Sequence, residues 1–264
     1  MTSRSNEPAS STSTRFASDT SETHAVLLDL DGTLLKLAPR PDEVIVPPVV
    51  PALLQELATF MQGAVAIVSG RPIASIDALL APFRSAAAGL HGTQMRLGSG
   101  SPVVNTVVAT SPHVVIENLP RLHAGSKSIL LEDKGACVAI HHRFPAGVLN
   151  EVKAEILAAI AEYAPDLDLL EGRRVLEIKP RAIDKGVACR ILLERAPFKG
   201  RKPYYFGDDV TDIAAFRFVD AVGGTSIAVG PRVARQARAH MSGPSEVIAW
   251  LNALRDCVRH STSG

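Results

Sequence analysis

The stretch AVLLDLDGTLL, residues 25–35, joins an apolar run to two aspartates, Asp29 and Asp31, with one residue between them. The run AVLLDL predicts a buried strand of a parallel sheet. Burying a carboxylate costs roughly several kcal/mol unless its charge is compensated. The two acids at the end of a core strand therefore predict a site that holds a compensating group.

Repeated strand and helix patterns surround this stretch. A second apolar run, AVAIVSG (64–70), predicts another buried parallel strand. Between the two runs, Leu53, Leu57 and Met61 share one helical face. A strand, a helix and a second strand form a βαβ unit, whose crossover is expected to be right-handed.

The middle of the chain has a different pattern. SKSILLEDKGACVAIHHRF predicts two strands joined by a polar turn, and a helix and the strand RRVLEIKP follow. We expect an α/β fold: a Rossmann-like core with a parallel sheet, interrupted by an inserted α+β domain. The expected bounds are a disordered tail at 1–23, the core at 24–109 and 183–264, and the insert at 110–182.

Composition excludes several classes of protein. The 264 residues are 46% hydrophobic with a formal net charge of +1, so charge provides no case for nucleic-acid binding. No apolar run has the roughly 20 residues that span a bilayer, and the N-terminal segment lacks the apolar region of a secretory signal. Cys137, Cys189 and Cys257 are far apart and fit free thiols in a reducing compartment, which favours a cytoplasmic protein.

Polar side chains recur where the predicted parallel strands end. Any one of them has an ordinary explanation, because an aspartate after a strand is often a helix cap and a lone lysine is usually solvated. Together they fall at the carboxyl edge of one sheet, where ligands bind in open α/β folds. The set consists of Asp29, Asp31, Ser69, Lys185, Asp208, Asp209 and Asp212.

These residues lie in four motifs that resemble those of haloacid-dehalogenase-type phosphatases: DLDGTL (29–34), VSGR (68–71), DKG (184–186) and GDDVTD (207–212). The resemblance implies a Rossmann-like core domain that carries an inserted cap domain of the family's second class. It implies that Asp29 is the nucleophile, forming an aspartyl-phosphate. It also implies that Asp31 is the general acid and base, and that Ser69 and Lys185 hold the phosphoryl oxygens.

The resemblance also implies a Mg²⁺ ion, which would compensate the clustered charge. Mg²⁺ is a hard ion that takes oxygen ligands. Its implied ligands are the carboxylates of Asp29 and Asp208 and the backbone carbonyl of Asp31. Asp212 is expected to hold these ligands in position without binding the ion itself.

Within that superfamily the details resemble trehalose-6-phosphate phosphatases, in GLHG (89–92), SILLEDKG (128–135), AIHHR (139–143) and LEIKP (176–180). The resemblance implies that Glu132, Lys134 and Glu177 bind sugar hydroxyls, with Arg71 and His91 lining the same cleft. The expected substrate is trehalose 6-phosphate.

Other interpretations of these features stay open. Glu132 and Lys134 also fit a polar hairpin turn with a surface ion pair. Phosphatases for sucrose 6-phosphate or glucosylglycerate phosphate are rival enzymes, and an inactive regulatory module is a rival of another class. A trehalose-phosphate synthase stays open as a partner.

Overall fold

The computed structural model describes residues 20–38, 40, 43–119, 129–172 and 174–261. Residues 1–19 of the predicted tail lie outside this part of the chain, and Thr20–Thr23 form one helical turn, α1. Among the described helices, none has both the length and the apolar character needed to cross a membrane.

Two sheets contain all twelve described strands. In chain order, these are β1 (His24–Leu28), β2 (Val65–Val68), β3 (Ala86–Gly89), β4 (Gln94–Arg96), β5 (Val104–Asn105), β6 (Ile129–Asp133), β7 (Val138–His142), β8 (Leu167–Gly172), β9 (Val175–Pro180), β10 (Lys202–Gly207), β11 (Thr225–Val229) and β12 (Ala239–Met241). The helices after α1 are α2 (Val49–Phe60), α3 (Ile73–Leu80), α4 (His113–Glu117), α5 (Ala146–Tyr163), α6 (Lys185–Leu193), α7 (Ile213–Ala221) and α8 (Pro244–Ser261).

The larger sheet has eight strands in the order β12-β11-β10-β1-β2-β3-β4-β5. The strands from β12 to β3 are parallel, and β4 and β5 form an antiparallel extension. The chain leaves β1 toward β2 and β3 and later returns to β10 on the other side. A change of direction of this kind opens a crevice at the carboxyl ends of β1 and β10.

The sheet core forms because its central strands are almost entirely apolar. Residues 25–28 of β1 have no exposed surface, and Phe206 and Ile227 in neighbouring strands are buried as well. Strands that bury both faces need apolar side chains at every position, as AVLL provides. Helix α2 packs against α8, and α6 packs against α7.

The smaller sheet has the strand order β6-β7-β9-β8 and is antiparallel throughout. Helices α4 and α5 cover one of its faces through a separate apolar cluster that includes Val138, Ile156 and Ile178. The whole module falls inside 110–182. The predicted α/β fold with an inserted α+β cap is therefore confirmed, while the residue bounds of the domains stay a prediction.

Both connections between the core and the cap are bonded to one residue, Asp166. The backbone N–H of Thr110, in the first connection, donates to its carboxylate at 2.7 Å. The backbone N–H of Arg181, in the second connection, donates to its carbonyl oxygen at 2.9 Å. Asp166 thus links the two connections between the core and the cap.

Candidate active site

The predicted site residues lie around one cleft of about 610 Å³ between the core and the cap. The core side is formed where β1, β2 and β10 end and where α6 begins, as the sheet topology requires. All the predicted site residues except Asp212 line this cleft: Asp29, Asp31, Ser69, Arg71, His91, Glu132, Lys134, Glu177, Lys185, Asp208 and Asp209.

Lys185 bridges two acids at the base of the cleft. Its Nζ lies 2.7 Å from Asp29 Oδ1 and 2.7 Å from Asp212 Oδ1. Asp184 caps α6 by accepting a hydrogen bond from the Val187 N–H, which holds the first helical residue, Lys185, in place. Burial alone would lower the pKa of Lys185, but the two carboxylates outweigh burial and keep the pKa above its usual value. Lys185 is therefore a fixed cation.

Asp212 is completely buried behind the cleft and accepts four hydrogen bonds. Its Oδ1 accepts from Lys185 and from the Tyr205 hydroxyl, which is 2.6 Å away. Its Oδ2 accepts from the backbone N–H groups of Asp208 at 3.1 Å and Asp209 at 3.0 Å. Asp212 thus holds the acidic loop in its conformation. The sequence does not predict the part played by Tyr205, whose hydroxyl is placed only by the fold.

The acids cluster closely enough to hold a metal ion. Asp29, Asp208 and Asp212 each have an oxygen, and the three oxygens lie within 4.8 Å of one another. Burial raises the pKa of Asp29 well above its usual value and, with the charge of Asp212, raises the pKa of Asp208 to about 7. A cation would offset this repulsion, and the all-oxygen donor set suits a hard divalent ion.

Gly32 allows the two acidic loops to approach. A Cβ atom at Gly32 would lie only 2.1 Å from Asp208 Oδ2, and the backbone there has a φ of +85°. A side chain at this position would displace the Asp208 carboxylate. The glycine of DLDGTL is therefore needed both for its turn and for the empty space beside Asp208.

Asp31 is held by Arg71 in a bidentate ion pair. Arg71 Nε and Nη2 lie 2.6 and 2.7 Å from the two carboxylate oxygens of Asp31. Ser69 is adjacent, and its hydroxyl accepts a hydrogen bond from the Arg71 N–H at 3.2 Å. Arg71, which the resemblance predicts to line a sugar cleft, lines this cleft, and its guanidinium contacts Asp31, the predicted general acid.

Two glutamates and a lysine of the cap face the core across the cleft. In the sheet register, Glu132 of β6 and Glu177 of β9 both lie opposite Ala139 of β7, so they share one face. Lys134 Nζ lies 3.4 Å from Glu177 Oε1 and 3.9 Å from Glu132 Oε2. These three charged groups form one cluster above the acidic loops.

Each of these glutamates also contacts a histidine. His91 Nε2, from the core, lies 2.7 Å from Glu177 Oε2, and His141 Nε2 lies 2.8 Å from Glu132 Oε2. Burial alone would raise the pKa of Glu177, but His91 and Lys134 outweigh burial and lower the pKa to about 2. The hydrogen bond from His141 is the largest influence that lowers the pKa of Glu132.

His141 is a site residue that the sequence did not predict. It lies on β7 two positions after Ala139, and strand alternation places both on the face that carries Glu132. Alternation in AIHHR indicates that one of His141 and His142 faces the cleft. The register of the three strands identifies that histidine as His141.

The fold and the site together define a class. The chain is similar to a haloacid dehalogenase-like hydrolase from Bacteroides thetaiotaomicron, with a TM-score of 0.62 at 19% identity, over 88% of this chain and 99% of that one. At this identity the likeness shows the fold. A parallel sheet with acidic loops at its carboxyl edge and an inserted cap is the haloacid dehalogenase architecture, as the motifs predicted.

The family follows from closer matches. A family model described as trehalose-phosphatase matches residues 27–245. The trehalose-6-phosphate phosphatase of Escherichia coli (strain K12) is 35% identical over 243 residues, which is 89% of this chain and 88% of that protein. The C-terminal domain of C. albicans trehalose-6-phosphate phosphatase, at 20% identity, shows the shared fold, with a TM-score of 0.76 over 89% of this chain and 93% of that one. The chain belongs to the trehalose-phosphatase family, which confirms the resemblance found in its sequence.

Proposed function

We propose that this chain hydrolyses trehalose 6-phosphate to trehalose and phosphate, a step of trehalose biosynthesis. The observation that carries the proposal is the composition of the cleft. Its core wall holds the acids and lysine suited to phosphoryl transfer, and its cap wall holds Glu132, Lys134 and Glu177, which suit a polyol. Family membership supports the same substrate, because the relatives carry that activity in their names.

Asp29 is the proposed nucleophile. One of its oxygens attacks phosphorus while the bond from phosphorus to the sugar oxygen breaks, leaving an aspartyl-phosphate. Lys185, 2.7 Å from Asp29 Oδ1, is placed to neutralise charge at the phosphoryl group, and Ser69 lines the same end of the cleft. Water then attacks the aspartyl-phosphate and releases phosphate, which restores the Asp29 carboxylate.

Asp31 is the proposed carrier of the proton. It protonates the departing sugar oxygen and later accepts a proton from the attacking water. Each Asp31 oxygen accepts one hydrogen bond from Arg71 in the structure, which leaves each oxygen a second lone pair that can carry the proton. The phosphate of a substrate entering the cleft is an alternative partner for the guanidinium.

The proposed metal is Mg²⁺, held by the carboxylates of Asp29 and Asp208 and the carbonyl of Asp31. Asp212 accepts four hydrogen bonds, from Lys185, Tyr205 and the loop backbone. These bonds support a role in orienting the metal ligands rather than in binding the ion. When bound, Mg²⁺ would neutralise charge on the phosphoryl oxygens.

The proposal is tested by measuring phosphate release from trehalose 6-phosphate beside glucose 6-phosphate, sucrose 6-phosphate and glucosylglycerate phosphate. We expect the highest kcat/KM for trehalose 6-phosphate. A higher value for another ester would assign the cleft to that sugar, and no release from any ester in the presence of Mg²⁺ would favour an inactive module.

We also propose that the protein acts in the cytoplasm on a small sugar phosphate, without a nucleic-acid partner. The near-neutral net charge supports the absence of a nucleic-acid partner.

A further inference from the structure

The two glutamates on the cap wall differ in which part of the molecule provides their histidine. His141 is on β7, so its bond to Glu132 lies entirely within the cap. His91 lies in the turn between β3 and β4 of the core, so its bond to Glu177 crosses from the core to the cap. Only the second bond depends on how the cap sits on the core.

The His91 ring is held firmly by its surroundings. The side chain is 8% exposed, and the backbone N–H of His91 donates to the Ser69 carbonyl at 3.0 Å. The ring lies against Gly70, where an added Cβ would be only 2.8 Å from Cε1 and Nε2. His91 also has a φ of 58°, which is uncommon for a residue other than glycine. A backbone conformation of this kind persists where the surrounding contacts impose it.

The direction of the hydrogen bond follows from charge. Glu177, with a pKa of about 2, is an acceptor only, so His91 must donate its Nε2 proton to Oε2. A carboxylate offers about four lone-pair sites, and His91 and Lys134 use one each. Capacity is therefore left on Glu177 for hydroxyl groups of a sugar, in an orientation that the two donors impose.

We infer that His91 is a positioning residue, which aligns Glu177 for the sugar across the boundary between core and cap. His141 does the same for Glu132 within the cap. The inference rests on the proposed function, because it assigns these glutamates to sugar recognition. Sugar recognition then depends on how the cap lies on the core, because His91 belongs to the core and Glu177 to the cap.

Double-variant cycles test the inference. The cycles combine His91→Leu with Glu177→Gln and His141→Leu with Glu132→Gln, and a crossed cycle combines His91→Leu with Glu132→Gln. We expect each single variant to lower kcat/KM for trehalose 6-phosphate about ten- to a hundredfold, the range for one hydrogen bond to a charged group. Partners that act as a unit are non-additive, so each matched double variant should fall no more than about twofold below its worse single variant. In the crossed pair the two sites are linked only through Lys134, so their losses in kcat/KM should come much closer to multiplying than those of the matched pairs.

Two further variants separate positioning from folding. In His91→Gln, the amide nitrogen replaces the Nε2 donor, so we expect it to recover most of the kcat/KM lost in His91→Leu. His113, on the cap surface, pairs with Asp133 at 2.9 Å outside the cleft, and His113→Leu should leave kcat/KM within about twofold of wild type. Melting curves confirm that each variant is folded.

Multiplicative losses in the His91 and Glu177 cycle, or no recovery in a folded His91→Gln, would overturn the inference. Failure of the proposed function gives a different result: wild-type protein would prefer another ester in the substrate panel. The cycles would then be measured with that ester, and coupling between His91 and Glu177 would still be expected.

Discussion

Replacing Asp212 by asparagine should destabilise the protein and weaken its catalytic loop. The substitution keeps the shape but turns one acceptor oxygen into an NH₂ donor. If Oδ1 is lost, the buried Tyr205 hydroxyl loses its acceptor and Lys185 keeps only Asp29; if Oδ2 is lost, the part-buried N–H groups of Asp208 and Asp209 lose theirs. In either orientation, two donors lose an acceptor.

Each unsatisfied donor costs about 1–3 kcal/mol, so the total is roughly 2–6 kcal/mol. Removing one negative charge from the cluster relieves repulsion with Asp29 and Asp208, which offsets part of this cost. We therefore expect the lower half of the range. For a chain of this size, that corresponds to a fall in Tm of about 5–10 °C.

Thermal melting in excess chelator measures this effect without a contribution from bound metal. Asp256→Asn is the matched control, because Asp256 pairs with Arg255 on the surface and its loss should change Tm by only about 1–2 °C. An Asp212→Asn protein that melts within about 2 °C of wild type would refute the role of Asp212 as the acceptor that organises the loop.

Three further outcomes are expected. Asp29→Asn should fold but release no phosphate, because an amide cannot replace the nucleophilic carboxylate; more than a few percent of wild-type turnover would contradict the covalent route. Chelation should abolish activity and added Mg²⁺ should restore it, whereas full activity in excess EDTA would show that the reaction does not need a metal ion. Glu177 has a folded pKa of about 2, below the 4.5 of an unperturbed glutamate, so its stabilising contribution should be complete above pH 4.5 and lost as pH falls toward 2. The difference in urea midpoint between wild type and Glu177→Gln should shrink over that window; a difference that grows as pH falls would contradict the ion-pair assignment.

The sequence predicted the core well because the central parallel strands are continuous apolar runs. It did not predict β8, whose residues Leu167–Gly172 include two acids and are mostly half-buried. Helix α4 and strand β12 were also missed, since segments of five and three residues are too short to show a period. These elements form through tertiary contacts that a local pattern does not contain.

The candidate site was predictable in its membership more than in its contacts. Strand ends and motifs identified the residues that the fold brings to one cleft. The bond from Arg71 to Asp31 joins residues 40 positions apart, and that from His91 to Glu177 joins residues 86 positions apart. Such pairs depend on sheet order and on the placement of the cap, so neither follows from sequence spacing.

The central claim is that one cleft joins phosphate chemistry in the core to sugar recognition in the cap. Lys134→Ala tests it most directly, because this ammonium lies between Glu132 and Glu177. The quantity to measure is the ratio of kcat/KM for trehalose 6-phosphate to that for p-nitrophenyl phosphate, with Lys153→Ala, a cap lysine paired with Glu171, as the control. We predict that the ratio falls about ten- to a hundredfold in Lys134→Ala and stays unchanged in the control. An equal loss on both esters, or an unchanged ratio, would contradict the assignment of the cap to the sugar.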